Sequence, residues 1–448
     1  MPFRTALLAV LLVIPAAAAA QQAGADTTPP LSAAARTRVL DVLFAQLARR
    51  YVFPDSVPRI ERAVRGRARA GAYDSARTAA AFGSAVTRDL RAFDRHFDLR
   101  WNPAHAARLR AAGADTLAVL PDLPPPPDSL ASMRASNYGV RGARVLPGNV
   151  GVVTLSLLHD LRWSRPALTA ALSLVSNADA VLLDLRGIPG GSPSAVSFVA
   201  SAFFGADSVE LLTVFDRELG TTERGWTRPG LGAPRLREPD LYLLVDGGTG
   251  SAAEAVAFTL QQTGRGRVVG ERTAGAAHAG GWTPVWEGFV VFLPNARGYL
   301  PATGRDWEGV GVQPDLAAPS AGALATAHAE AVERLLARTP EGPRKRTLAW
   351  LAPLLRGQAT PPALDTTRAA RVAGRYERAE VRFEGGELRF VGASGTPQRL
   401  TPLPDDTFVL EDQRFEPEAR IRVEFSPAAN TLFLLVPDGR RIARKRLP

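Results

Sequence analysis

Ser251 stands in the run Leu243-Leu244-Val245-Asp246-Gly247-Gly248-Thr249-Gly250-Ser251-Ala252-Ala253-Glu254-Ala255, where an apolar, strand-like stretch ends in glycines and small residues then open an apolar helix. That order presents a hydroxyl at the mouth of a strand-to-helix turn, beside the unpaired N–H groups of a helix start. A serine there can attack a carbonyl, because the oxyanion it creates finds donors within reach. An ordinary N-cap serine gives the same pattern, so its chemistry has to be read from its partners.

Serine is a weak nucleophile unless a base takes its proton. The chain has no cysteine, and its two lysines, Lys345 and Lys445, lie outside the stretch that carries Ser251. The histidines are His96, His105, His159, His278 and His328. His96 sits in Phe93-Asp94-Arg95-His96-Phe97-Asp98-Leu99, among carboxylates and aromatics. His278 sits in Gly275-Ala276-Ala277-His278-Ala279-Gly280, a small-residue loop after a strand. On residue types alone both are candidate bases. A second glycine site, Asp184-Leu185-Arg186-Gly187-Ile188-Pro189-Gly190-Gly191-Ser192, follows another buried strand. Its N–H groups suit an oxyanion, and they also suit a tight strand–helix turn. In Asp306-Trp307-Glu308-Gly309-Val310-Gly311 a glutamate lies in a loop-like run. Glu308 can orient a histidine or simply face solvent. No metal cluster or cofactor motif is present in the pattern, so neither a metal nor a cofactor is expected.

These residues need elements to hold them. From about Ser32 to Leu109 the pattern is helical: Val39, Leu40, Leu43, Leu47 and Tyr51 mark one apolar face, and Pro54 stops the helix. Further helices are expected over Glu61–Arg69 and Thr78–Phe93. A proline-rich linker follows at Pro121–Pro127. From about Tyr138 to Pro319 strands and helices alternate: Val150–Leu157, Pro166–Val175, Ala180–Leu185, Pro193–Phe204, Leu241–Val245, Ser251–Gln262, Val268-Val269 and Phe289–Leu293. Such alternation implies an α/β core. Residues 320–356 read as helical and Gly357–Pro362 as a linker. The last segment, from about residue 366, reads as a small all-β domain with a hairpin around Gly385-Gly386.

At 448 residues the chain has room for two or three domains. Arg4, the apolar run Ala6–Ile14 and the alanines up to Ala20 read as a secretory signal peptide over residues 1–20. The mature chain is then exported, periplasmic or extracellular, with no further span; the lack of cysteine excludes a lipoprotein anchor, disulfides and thiolate zinc. The net charge of +10 is nearly all arginine and is spread along the chain. Without a recognition motif or stacking platform, no nucleic-acid partner is expected.

Together, the motifs resemble the tail-specific (C-terminal-processing) serine peptidase family, from about Val39 to Asp315. Ser251-Ala252-Ala253-Glu254 resembles the family's nucleophile motif, Val269-Gly270-Glu271-Arg272-Thr273-Ala274-Gly275 the segment after it, and Asp184-Leu185-Arg186 with Gly190-Gly191 its oxyanion loop. Tyr51-Val52-Phe53-Pro54 resembles the N-terminal domain of the branch that holds the interphotoreceptor retinoid-binding protein. In the C-terminal-processing branch a lysine follows the nucleophile where this chain has Ala276. The tricorn-like branch instead uses a histidine ahead of the core and a glutamate late in it, which fall on His96 and Glu308. The resemblance therefore implies Ser251 as nucleophile, His96 as general base and Glu308 as its support, with Gly190, Gly191 and Ala252 around the oxyanion. It implies a crotonase-like α/β core of ββα units, over 138–319. That core would stand between a small helical N-terminal domain, 32–120, and a helix and linker, 320–365, with the β domain at 366–448. The activity it implies is cleavage of peptides or unfolded chains through an acyl-enzyme. The alternative is a non-catalytic binding protein for an apolar, retinoid- or fatty-acid-like ligand on the same fold. The oligomeric state is unreadable from the sequence.

Overall fold

The computed structural model describes residues 28–111, 127–205, 208–411 and 416–448. The expected signal segment over 1–20 and all of the expected proline-rich linker but Pro127, which opens the helix Pro127–Ala135, lie outside the described residues. The chain is a mixed α/β protein, and its contacts divide it into two compact units. Among the described residues, one comprises 28–49, 53–111 and 282–293; the other comprises the rest.

In the larger unit, the central sheet has six strands in the order Leu316–Ala317, Arg267–Gly270, Asp240–Val245, Ala180–Asp184, Val150–Leu155 and Val140–Leu146. All neighbours are parallel except the last pair. Strands buried on both faces need apolar residues at every position, and Ala180–Asp184 is buried throughout. Val181, Leu183, Leu243 and Val245 face one layer, with the helices Leu161–Leu174, Pro193–Ser201 and Ala252–Gln262. Leu182, Tyr242 and Leu244 face the other, with Ala323–Arg338 and Pro343–Ala359. Parallel strands joined by helical crossovers bring their carboxyl ends to one edge. The loops 185–192, 246–251 and 271–277 leave from that edge.

Three local features differ from the sequence pattern. The helix expected to start at Pro166 starts at Leu161, because the Asp160 side chain caps it by accepting from the N–H of Arg162 at 2.8 Å. Gly357 does not open a linker; the helix Pro343–Ala359 runs through it. A side chain there would press on Leu403, with a Cβ 3.2 Å from its methyl group, so the glycine serves close packing. A hairpin of Glu210–Asp216 and Thr221–Trp226, unforeseen in the alternation, pairs through Asp216 with Ala296.

The end of the chain forms an eight-stranded antiparallel meander from Gly374–Tyr376 to Arg441–Lys445. First and last strands also meet: Glu377 N–H donates to the Lys445 carbonyl and Leu447 N–H to that of Arg375, both at 2.9 Å. The sheet thus closes on itself. Its interior is filled by Tyr376, Leu388, Phe390, Phe408 and Phe425, with Val372 from the helix Thr366–Val372.

The smaller unit holds the helices Val57–Arg69, Ala79–Leu90 and Pro103–Ala111, and most of Ala33–Arg50. Its strand Asp98–Trp101 pairs antiparallel with Phe289–Phe292. Gly83 lets the helix Ala79–Leu90 approach that strand; a Cβ there would lie 2.7 Å from the Leu99 carbonyl. Thr87 then bonds both backbone groups of Leu99, accepting from its N–H at 2.8 Å and donating to its carbonyl at 3.2 Å.

Candidate active site

Ser251 lies between the strand Asp240–Val245 and the helix Ala252–Gln262 with φ 47° and ψ −117°. A side-chain-bearing residue in that region costs about 1–3 kcal/mol and persists only where its surroundings enforce it. The enforcement is visible on both sides. Gly250 donates to the Ile188 carbonyl at 2.8 Å, and Thr249 Oγ1 to that of Leu185 at 2.9 Å. Ser251 N–H donates to the Glu254 carboxylate at 2.8 Å, the backbone half of a capping box at the helix start.

The second glycine site packs directly on this turn. A Cβ on Gly190 would lie 3.0 Å from Ser251 Cβ and 3.5 Å from its Oγ. Gly190 and Gly191 have φ 150° and 149°, a region that favours glycine. A Cβ on Gly191 would fall 2.1 Å from the Leu158 carbonyl, the atom that accepts from Ser192 N–H at 2.7 Å. Among the described residues, no acceptor takes the N–H of Gly190 or Gly191. Ala252 begins the helix, where an N–H has no intrahelical acceptor. Ser251, Gly190 and Ala252 are thus one cluster, with Gly191 beside it.

Asp246 ties the two glycine loops together. Its carboxylate accepts from the N–H groups of Gly187 and Gly248, each at 2.9 Å, and from Ser320 Oγ at 2.8 Å. Burial alone would push this carboxyl up, but the bonds from Gly187, Ser320, Gly248 and Thr249 outweigh it and hold it below its ordinary value. Beside it the Asp184 carboxylate hydrogen-bonds Arg186 and, burial notwithstanding, keeps that guanidinium more firmly protonated than usual.

The loop of Glu308 is anchored in the same unit. Trp307 is buried against Phe258 of the helix Ala252–Gln262, ring centroids 4.9 Å apart. Gly309 N–H donates to the Gly275 carbonyl at 3.0 Å. The Glu308 carboxylate accepts from Ala277 N–H at 2.6 Å and lies 3.6 Å from Nδ1 of His278, whose ring is buried. His96 belongs to the smaller unit. There its N–H donates to Asp94 Oδ1 at 2.9 Å, and its ring stacks on Phe292 at 6.2 Å. His105 and His159 are held below the ordinary histidine range, chiefly by burial.

Two groups of this region go beyond the expected site. Asp246 shows in the sequence only as the residue after a strand. Glu254 shows only as part of a motif, although Ser-x-x-Glu before an apolar run is the spacing of a capping box.

Comparison with known proteins bears on this region. Residues 149–318 match the family model described as Peptidase family S41. Carboxyl-terminal-processing peptidase 3, chloroplastic, of Arabidopsis thaliana is 31% identical over 161 residues, which is 36% of this chain and 29% of the relative. The carboxy-terminal-processing protease of Bartonella bacilliformis is 29% identical over 135 residues, 30% of each chain. This chain thus spans less than a third of the length of either relative. Among solved structures, a photosystem II D1 C-terminal processing protease aligns with a TM-score of 0.40 and 18% identity, over 64% of this chain and 93% of that one.

Proposed function

Residues 149–318 belong to peptidase family S41, and on that premise we propose that this chain is an exported serine peptidase that cleaves peptides or unfolded chains through an acyl-enzyme. Ser251 Oγ attacks the scissile carbonyl while His96 takes its proton, and Glu308 supports the histidine. The tetrahedral oxyanion is met by N–H groups at Gly190, Gly191 and Ala252. The imidazolium then protonates the leaving amine, and water, activated by the same histidine, releases the acyl group. The observation that carries this reading is Ser251 itself: a strained turn at a helix start, packed on glycines whose N–H groups have no acceptor among the described residues.

We read the parallel sheet and its helices as a crotonase-like core of ββα units. It stands between a helical domain at 32–120 and a β domain at 366–448. Export rests on the apolar leader, and no described helix is long and apolar enough to cross a membrane. One observation favours a second reading of the base: the Glu308 carboxylate lies beside His278.

Digestion of a mixed peptide library, read by mass spectrometry for the wild type and Ser251→Ala, tests the function. Cleavage by the wild type alone is expected, and the new termini give the specificity. Equal cleavage by both would overturn the mechanism. No cleavage by well-folded protein would turn attention to an apolar-ligand carrier, checked by lipid extraction.

A further inference from the structure

Glu254 is a fully buried carboxylate that the mechanism above does not use. Its Oε2 accepts from the N–H groups of Ser251 and Ala276, each at 2.8 Å. Its Oε1 accepts from Gly275 N–H at 2.6 Å and from Thr273 Oγ1 at 2.5 Å. Four donors meet one carboxylate, two on each oxygen, which is the full acceptor capacity of that group. A helix cap needs only the first of these bonds. The other three come from a segment about twenty residues further on. That segment continues into Ala277, whose N–H the Glu308 carboxylate takes.

Resting on the peptidase reading, we infer that Glu254 is a positioning residue for the nucleophile. Its carboxylate pins the backbone of Ser251 in the strained turn and fixes, by the same atoms, the segment on which Glu308 rests. The bond from the Ser251 backbone N–H holds that residue at the helix start. The carboxylate touches no reacting atom. Its effect is on where Oγ and the Ala252 N–H sit relative to a bound carbonyl, so it acts on turnover more than on binding. Glutamine keeps the shape but turns two N–H donors toward donors already there, so it breaks two of the four bonds.

The test measures kcat and KM on one cleaved peptide for the wild type, Ser251→Ala, Glu254→Gln, Glu254→Asp and Thr273→Val, with the folded fraction of each read by near-ultraviolet circular dichroism. Misplacing a nucleophile by about 1 Å costs roughly 100-fold. Glu254→Gln is expected to lose about that much in kcat with KM changed less than about threefold. Glu254→Asp, which keeps the charge, should recover part of the loss. Thr273→Val removes one donor and should lower kcat by a smaller factor at unchanged KM. Should Glu254→Gln fail to fold, the Glu254→Asp and Thr273→Val results decide. Folded variants with wild-type kcat, or a loss confined to KM or to the folded fraction, would overturn the inference. A wild type whose cleavage survives Ser251→Ala would overturn the peptidase reading instead, so the two failures are told apart.

Discussion

The central sheet and the closed C-terminal sheet are both built of short strands, yet it is the first that gathers the candidate site. In the central sheet five of the six strands run the same way, so the loops after Asp184, Val245 and Gly270 leave from one edge and meet there. In the antiparallel meander successive turns alternate between the two ends, and the strands alternate buried with exposed residues, as in Glu387–Val391. Its arginines and glutamates pair across the surface, as Arg382 does with Glu380 and Arg389 with Glu387. Such exposed pairs contribute little stability and converge on nothing. Topology, more than composition, decides where a site forms.

Substitutions can break this contrast. The largest effect is expected from His96→Ala, with a fall of about 10⁴-fold or more in kcat. His278→Ala, assayed beside it, should fall far less; the reverse ranking would make His278 the base. Gly191→Ala is expected next, with roughly 10²–10³-fold lower kcat as the oxyanion loop is displaced. Wild-type kcat with an intact fold would remove that loop from the mechanism. In the closed sheet, Phe425→Ala should cost about 3–5 kcal/mol in the unfolding of that region. The kcat of the folded protein should stay within roughly twofold. A large loss of kcat would mean that the meander serves the site.

A smaller effect concerns pH. The carboxyl of Asp246 is held below its ordinary value in the folded chain, so the unfolded chain takes up that proton more readily. Its contribution to stability is full above the ordinary carboxylate range and is lost as pH falls through the folded value. Asp246→Asn should lower stability by about 1–3 kcal/mol at neutral pH. Thermal unfolding followed from pH 7 downward checks the sign: the gap to the wild type should shrink on acidification. A constant gap would mean that the charge is not what holds the Gly187 loop.

Legibility in the sequence followed the same division. The inner strands are continuous apolar runs, and the turns after them announce themselves by glycine, so runs such as Ala180–Asp184 and the Ser251 turn stand out without a structure. What the sequence did not disclose depends on registers fixed only by folding. The donors of Thr273, Gly275 and Ala276 on Glu254 are backbone and hydroxyl groups, with no signature beyond the Ser-x-x-Glu spacing. Closure of the meander rests on backbone bonds from Glu377 and Leu447, which any residue could make. Gly357 read as a break because glycine is a poor helix former, but tertiary packing against Leu403 overrode propensity.

The glycines beside Ser251 also set limits on how this protein can change over evolutionary time. With no room for a methyl group on Gly191, and Ser251 already against Gly190, mutation has no side chain to vary on that wall of the site. Any change of preference has to be written in side chains elsewhere. On the peptidase reading, the chemistry is thereby insulated from changes of specificity, because the wall beneath the serine has no side chain to exchange.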